Sequence, residues 1–147
     1  MIRIVLPFPP SVNRLWRTTK GGGMYRSQEY AAWRKHAEWA VAGQVKGRGI
    51  LGEYTLEIVA VKPDKRRRDL GNLEKAISDI LQHVKVIEDD YLCQDIRIRW
   101  AKTGPECEII VREYEDGTEP RSVEKALYGN GISGTPPART RRSTKKT

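Results

Sequence analysis

Apolar and polar positions along the chain fall into short stretches of period two and longer stretches of period near 3.6. Arg3 to Leu6 is β-branched and apolar, which predicts a short strand. Residues 54–61 alternate, with Tyr54, Leu56, Ile58 and Ala60 on one face and Thr55, Glu57, Val59 and Val61 on the other. Residues 95–100 alternate again, with Ile96, Ile98 and Trp100 inward and Arg97 and Arg99 outward. Residues 107–112 predict a last strand, joined to the one before by a hairpin-like link at Thr103-Gly104-Pro105. Between these lie two helical patterns. Tyr30, Trp33, Ala37, Ala40 and Val41 form one stripe over residues 28–42, with Ser27 as its N-cap. Leu73, Ala76, Ile77, Ile80 and Leu81 form another over residues 70–84, with Asn72, Lys75, Asp79 and Gln82 on the opposite face.

The order β-α-β-α-β-β predicts an α+β fold, a mixed β-sheet with helices packed on it. Pro7, Pro9 and Pro10 end the first strand in an extended path. Lys20-Gly21-Gly22-Gly23 reads as a flexible turn, and residues 62–68 as a charged loop. From Glu115 onward no apolar stripe appears, and Gly, Pro, Ser, Thr and basic residues dominate. The reading is therefore a folded domain over residues 1–114 and a basic, mostly disordered tail over residues 115–147.

Charge changes the picture only through its placement. Of the net charge of +8, residues 118–147 carry +5 and residues 1–117 only +3. Local clustering, not overall pI, must then carry any argument for nucleic acid. Cys93 and Cys107 stand in no CxxC or Cys/His pattern, which argues against a zinc site. The apolar run Ile2 to Leu6 is too short for a signal peptide or a membrane span, so the expectation is a cytoplasmic protein with no membrane partner.

The chemistry concentrates between the charged loop and the second helix. Arg66, Arg67 and Arg68 run straight into Asp69, and Glu88-Asp89-Asp90 follows the helix. Adjacent guanidinium groups suit a polyanion, because each binds phosphate oxygens in a fork. Carboxylates in the same surface would repel that polyanion unless a divalent metal bridges the two. The pattern points to a metal-dependent nuclease. Asp69 and Asp79 lie ten residues apart, about 15 Å along a straight helix, too far to share an ion. Asp69 with Asp90 is the better pair, with Asp89 adjacent. Lys75 either pairs with Asp79 on the helix surface or stabilises charge on a phosphate. Asn72 faces the same side. Arg14 and Trp16 lie together in a loop, where Trp16 suits stacking on a base.

These residues resemble the RusA family of Holliday-junction resolvases. The likeness is carried by Arg66-Arg67-Arg68-Asp69-Leu70-Gly71-Asn72-Leu73-Glu74-Lys75, by Val86-Ile87-Glu88-Asp89-Asp90, and by the opening segment Leu6 to Arg14. It covers about residues 1–114. The resemblance implies a homodimeric, Mg²⁺-dependent endonuclease, with Mn²⁺ as an alternative ion. It also implies symmetric nicking of four-way DNA in recombination and repair, in a family often carried by phages and prophages. It places catalysis on Asp69, Lys75 and Asp90 and the metal on Asp69, Asp89 and Asp90. The residue chemistry itself assigns the expected DNA contacts to Arg66, Arg67, Arg68, Asn72, Arg14 and Trp16. The family's Asp-x-Asp-Asn motif falls on residues 69–72, where its second acid is replaced by Gly71. Either Asp69, Asp90 and one of Asp89 or Asp79 hold the ion, with water filling the gap, or the protein binds junctions, or RNA, without cutting.

Overall fold

Four strands build the main sheet, in the order β1, β6, β4, β5. The computed structural model describes residues 1–11 and 15–115, which fall in one unit, Met1–Glu115. Strand β1 (Ile2–Leu6) pairs antiparallel with β6 (Cys107–Glu113), and β6 pairs antiparallel with β4 (Tyr54–Val61). Strand β5 (Cys93–Ala101) runs parallel to β4 at the sheet edge. The sheet is mixed, as the α+β pattern predicts. The tail lies outside the described residues.

Two features of the strands depart from the sequence reading. Residues 103–105 do not close a hairpin, because β6 lies on the far side of β4 from β5. The link crosses the end of β4, where the Val61 N–H donates to the Glu106 carbonyl at 3.0 Å. Two strand spacings come to about 10 Å, within easy reach of a five-residue link. The second departure is a hairpin within residues 16–26. Its strands are β2 (Trp16–Thr18) and β3 (Met24–Arg26), and its turn carries the glycines, with Gly22 at φ +85°. The Thr19 N–H donates to Gly23 O at 2.7 Å and closes that turn.

Helix α1 (Gln28–Val45) starts at Ser27, whose hydroxyl accepts the Tyr30 N–H, and runs three residues beyond its expected end. Tyr30, Trp33, Ala37, Val41 and Val45 are buried. Gln44 reaches the open edge of β1, accepting from Val5 N–H at 2.8 Å and donating to Val5 O at 2.7 Å. The expected second helix is divided. Residues Leu70–Leu73 form a 3-10 turn, and α2 proper is Glu74–His83. Leu73, Ala76, Ile77, Ile80 and Leu81 are all buried, each large aliphatic side chain contributing roughly 1.5–3 kcal/mol. The helices and β1, β4 and β6 share one core, in which Ile4, Ile58, Ile109 and Ile80 are fully enclosed. The other face of the sheet carries charge. Glu57 of β4 pairs with Arg112 at 3.4 Å and Arg99 at 3.7 Å, and Arg3 pairs with Glu108.

After α2 the chain turns sharply at Lys85, a non-glycine residue at φ +64°; Lys46 takes the same left-handed conformation after α1. Residues 49–52 then brace the descending segment. Ile50 bridges Ile87, the Ile50 N–H donates to Val86 O at 2.8 Å, and the Gly52 N–H donates to Glu88 Oε1 at 3.0 Å. This brace fixes where Asp89 and Asp90 emerge.

Candidate active site

Phe8, Pro9, Pro10 and Ser11 line one side of a cleft. Pro9 and Pro10 are buried, and the Trp33 indole donates to Pro7 O at 2.9 Å, which ties the segment to α1. Phe8 stacks on Trp100 of β5 at 6.1 Å between ring centroids. Opposite this side lie Arg66, Arg67, Arg68, Asp69 and Asn72, around the same cleft of about 520 Å³.

The three arginines are not equivalent. Asp64, which sequence reasoning left without a role, organises two of them. Its carboxylate accepts from Arg68 at 3.0 Å and lies 3.6 Å from Arg66 Nε. Arg68, chiefly, and then the backbone N–H of Arg66, hold the Asp64 carboxyl below its usual range. The Arg68 guanidinium also lies 5.2 Å over the Phe8 ring, a cation–π contact. Arg67 is exposed and forms no ion pair among the described residues. Arg68 thus shapes the cleft, while Arg67 is the guanidinium most free to take a phosphate.

Asp69 sits in extended conformation at the head of the 3-10 turn and caps nothing with its side chain. Its carbonyl accepts the Asn72 N–H at 3.2 Å. The N-cap explanation for this acid is thereby removed, and its exposed carboxylate lines the cleft with Asn72. Asp89 does cap, its carboxylate accepting the Tyr91 N–H at 3.4 Å and opening the 3-10 turn Asp90–Leu92. Asp90 leads that turn, which packs against α2, while the Leu70–Leu73 turn packs against β5.

Lys75 interacts with acids of α2 and, more weakly, with Asp90 beyond it. It forms an ion pair with Asp79 at 3.2 Å, as the i,i+4 spacing predicts. That contact, with smaller contributions from Asp90 and Glu74, raises the Lys75 ammonium above its ordinary range. Lys75 is therefore a lasting cation, suited to stabilising negative charge and not to taking a proton from water.

Two further residues belong to this neighbourhood. Tyr54 is buried, and its hydroxyl donates to Asp90 O at 3.5 Å. Burial, then Cys93, Asp90 and Glu74, push its hydroxyl well above the usual range, so it stays protonated. Glu74 accepts a short hydrogen bond from the buried Ser78 hydroxyl. The Glu74–Ser78 spacing of four was a readable signal; the reach of Tyr54 across the core was not.

Trp16 is 43 % exposed on the β2–β3 hairpin and lines a different cleft from the arginines, together with Asp79. Arg14 lies outside the described residues. Gly71 is exposed, without positive φ, and nothing stands within 4 Å of where its β-carbon would be.

Among the described residues no three His, Cys, Asp or Glu side chains converge closely enough to cage a metal ion. Mg²⁺ seldom needs such a cage, since it binds through one or two carboxylates, waters and substrate phosphates. Exposed Asp69 and Asp90 are hard oxygen donors of that kind.

The cleft is thus rimmed by Arg66, Arg67 and Arg68 and lined by the exposed Asp69 carboxylate and Asn72. The family model described as Endodeoxyribonuclease RusA matches residues 7–112. The chain belongs to the RusA family of endodeoxyribonucleases. It is 34% identical over 96 residues to the crossover junction endodeoxyribonuclease of Enterobacteria phage HK97, covering 65% of this chain and 79% of that protein. The enzyme of that name from Aquifex aeolicus is 32% identical over 106 residues, covering 71% and 82%. That of Enterobacteria phage 82 is 36% identical over 95 residues, covering 65% and 78%. No helix among the described residues is long and apolar enough to cross a membrane.

Proposed function

We propose that this chain is a Mg²⁺-dependent, homodimeric resolvase that nicks four-way DNA symmetrically. The observation that supports the reading is the arginine cleft itself, in which Arg66, Arg67 and Arg68 surround the exposed Asp69 carboxylate and Asn72. Arg66 and Arg67 hold the flanking phosphates, and Asn72 orients the strand. Arg68, held by Asp64 and Phe8, keeps the cleft open. Asp69 and Asp90 would hold Mg²⁺, or Mn²⁺, with Asp89 setting the direction of Asp90 through its cap. Bound there, the ion supplies Lewis-acid polarisation of the phosphate and a water of lowered pKa. Lys75 stabilises the charge that develops on the phosphoryl oxygens. Two like nicks require two like sites, which a two-fold dimer presents.

Asp90→Asn is the test. The exchange keeps the shape and removes the charge, so junction binding is retained while nicking is lost. Nicking at the wild-type rate by this variant would sink the assignment. Gly71, in place of an acid, favours a second reading, a junction binder that does not cut. Under it the wild-type chain binds equally well in EDTA and produces no nicks at any Mg²⁺ concentration.

A further inference from the structure

A second cleft, of about 430 Å³, opens at the opposite end of α2 from the arginine loop. The β2–β3 hairpin supplies Trp16 and Arg26, α1 supplies Tyr30 and Arg34, and the turn after α2 supplies Lys85. Arg26, Arg34 and Lys85 form no ion pair among the described residues. The acid in this cleft, Asp79, is already matched by Lys75 at 3.2 Å, and His83 faces Glu38 at 3.4 Å. The cleft is therefore a region of unmatched positive charge, which suits a polyanion.

Its aromatic lining suits a particular polyanion. The Trp16 ring is half-exposed, backed by Tyr30 at 6.2 Å in an edge arrangement, with the Arg26 guanidinium 6.0 Å over it. A base that stacks on this indole displaces Arg26, and the freed guanidinium can then take the adjoining phosphate. Lys85 adds a second argument. It holds a left-handed conformation, φ +64°, at the position after a helix where glycine is usual. Lys46 shares this conformation after α1; what sets Lys85 apart is its place in the cleft lining.

Asn72, in the 3-10 turn that leads into α2, lines the first cleft, and Asp79 and Gln82 of α2 line the second. The ten residues of α2 extend about 15 Å, or about four base pairs at 3.4 Å each. We propose that the second cleft is a further DNA subsite, where Arg26, Arg34 and Lys85 hold phosphates about four base pairs from the arginine cleft and Trp16 stacks on a base left unpaired at the branch point. This subsite rests on the resolvase reading and would supply its preference for branched over linear DNA.

The test is equilibrium binding of the full chain, in EDTA, to a four-way junction and to a linear duplex across a range of salt. Arg26→Ala combined with Lys85→Gly should flatten the salt slope by about 1.8, two phosphate contacts. Lys85→Gly alone should flatten it by about 0.9, and glycine takes that backbone conformation freely, so this variant folds even if the double one does not. Trp16→Ala should leave the slope unchanged, narrow the junction-over-duplex preference at least tenfold, and abolish the part of the tryptophan quenching that only the junction produces. Unchanged slopes with an unchanged preference overturn the subsite. If wild-type chain fails to prefer and cut the junction, the resolvase reading fails and the subsite with it. If wild type cuts and these variants match it, only the subsite fails.

Discussion

Replacing Gly49 with alanine is expected to loosen the segment that presents Asp89 and Asp90. A β-carbon at Gly49 would lie 2.6 Å from the Lys85 carbonyl oxygen and 3.4 Å from that of Val86, both backbone atoms that cannot swing aside. The next residue, Ile50, is bonded to Val86 at 2.8 Å and bridges Ile87. The two segments cannot admit the methyl group and keep that register. Forcing extra volume into a packed contact costs about 1–3 kcal/mol, and loss of the Ile50 hydrogen bond adds about 1 kcal/mol. The sum is about 2–4 kcal/mol, or a melting temperature lower by roughly 8–16 °C for a folded unit of this size. Thermal unfolding followed by circular dichroism reads the first effect, and junction nicking at a temperature where both proteins are folded reads the second. Gly43→Ala is the control. Gly43 lies within α1 with nothing near its absent β-carbon, so alanine there should stabilise by about 0.5–1 kcal/mol. A Gly49→Ala melting temperature within about 2 °C of wild type would refute the argument, since about 0.5 kcal/mol could not contain such a clash.

Other substitutions probe the site itself. Gly71→Asp has open space and no positive φ to contend with, so it should fold normally and lower the Mg²⁺ concentration for half-maximal nicking; an unchanged titration means this position does not face the ion. Arg67→Ala should flatten the salt slope of binding by about 0.9 with no change in melting temperature. Arg68→Ala should instead destabilise the fold by about 1 kcal/mol, because it removes a cation–π contact and the Asp64 pair. Equal behaviour of the two arginine variants in melting experiments would undo the division of roles. Lys75→Gln should slow single-turnover nicking by about 100-fold while junction affinity stays within about threefold; a loss seen in affinity alone would make Lys75 a binding residue.

Much of the fold was legible because burial writes itself into periodicity. The bounds of β4, the Ser27 cap and the apolar part of the buried face of α2 follow from spacing alone, while buried Ser78 does not. The sheet order was not legible, since Thr103-Gly104-Pro105 carries hairpin chemistry whichever strand comes next. The charges of β5 did hold a clue. Asp95, Arg97 and Arg99 on one face suit an edge, and there Ile96, expected inward, is 43 % exposed instead. The β2–β3 hairpin left no trace because every residue in its strands is exposed, so no apolar alternation marks it. At the site, the arginine loop and the Lys75–Asp79 pair could be read from spacing. The splitting of the arginines by Asp64 rests on contacts two and four residues apart, in a loop that no helix or strand period marks. The approach of Tyr54 to Asp90 and the second cleft depend on contacts between distant segments, which periodicity does not encode.

The most direct test is incubation of the purified full chain with an end-labelled four-way junction, with and without Mg²⁺, mapping the products on denaturing gels. The account predicts paired nicks at symmetry-related positions in two strands of like polarity, present with Mg²⁺, absent in EDTA, and absent from the linear duplex. Tight junction binding with no nick at any Mg²⁺ concentration would contradict it.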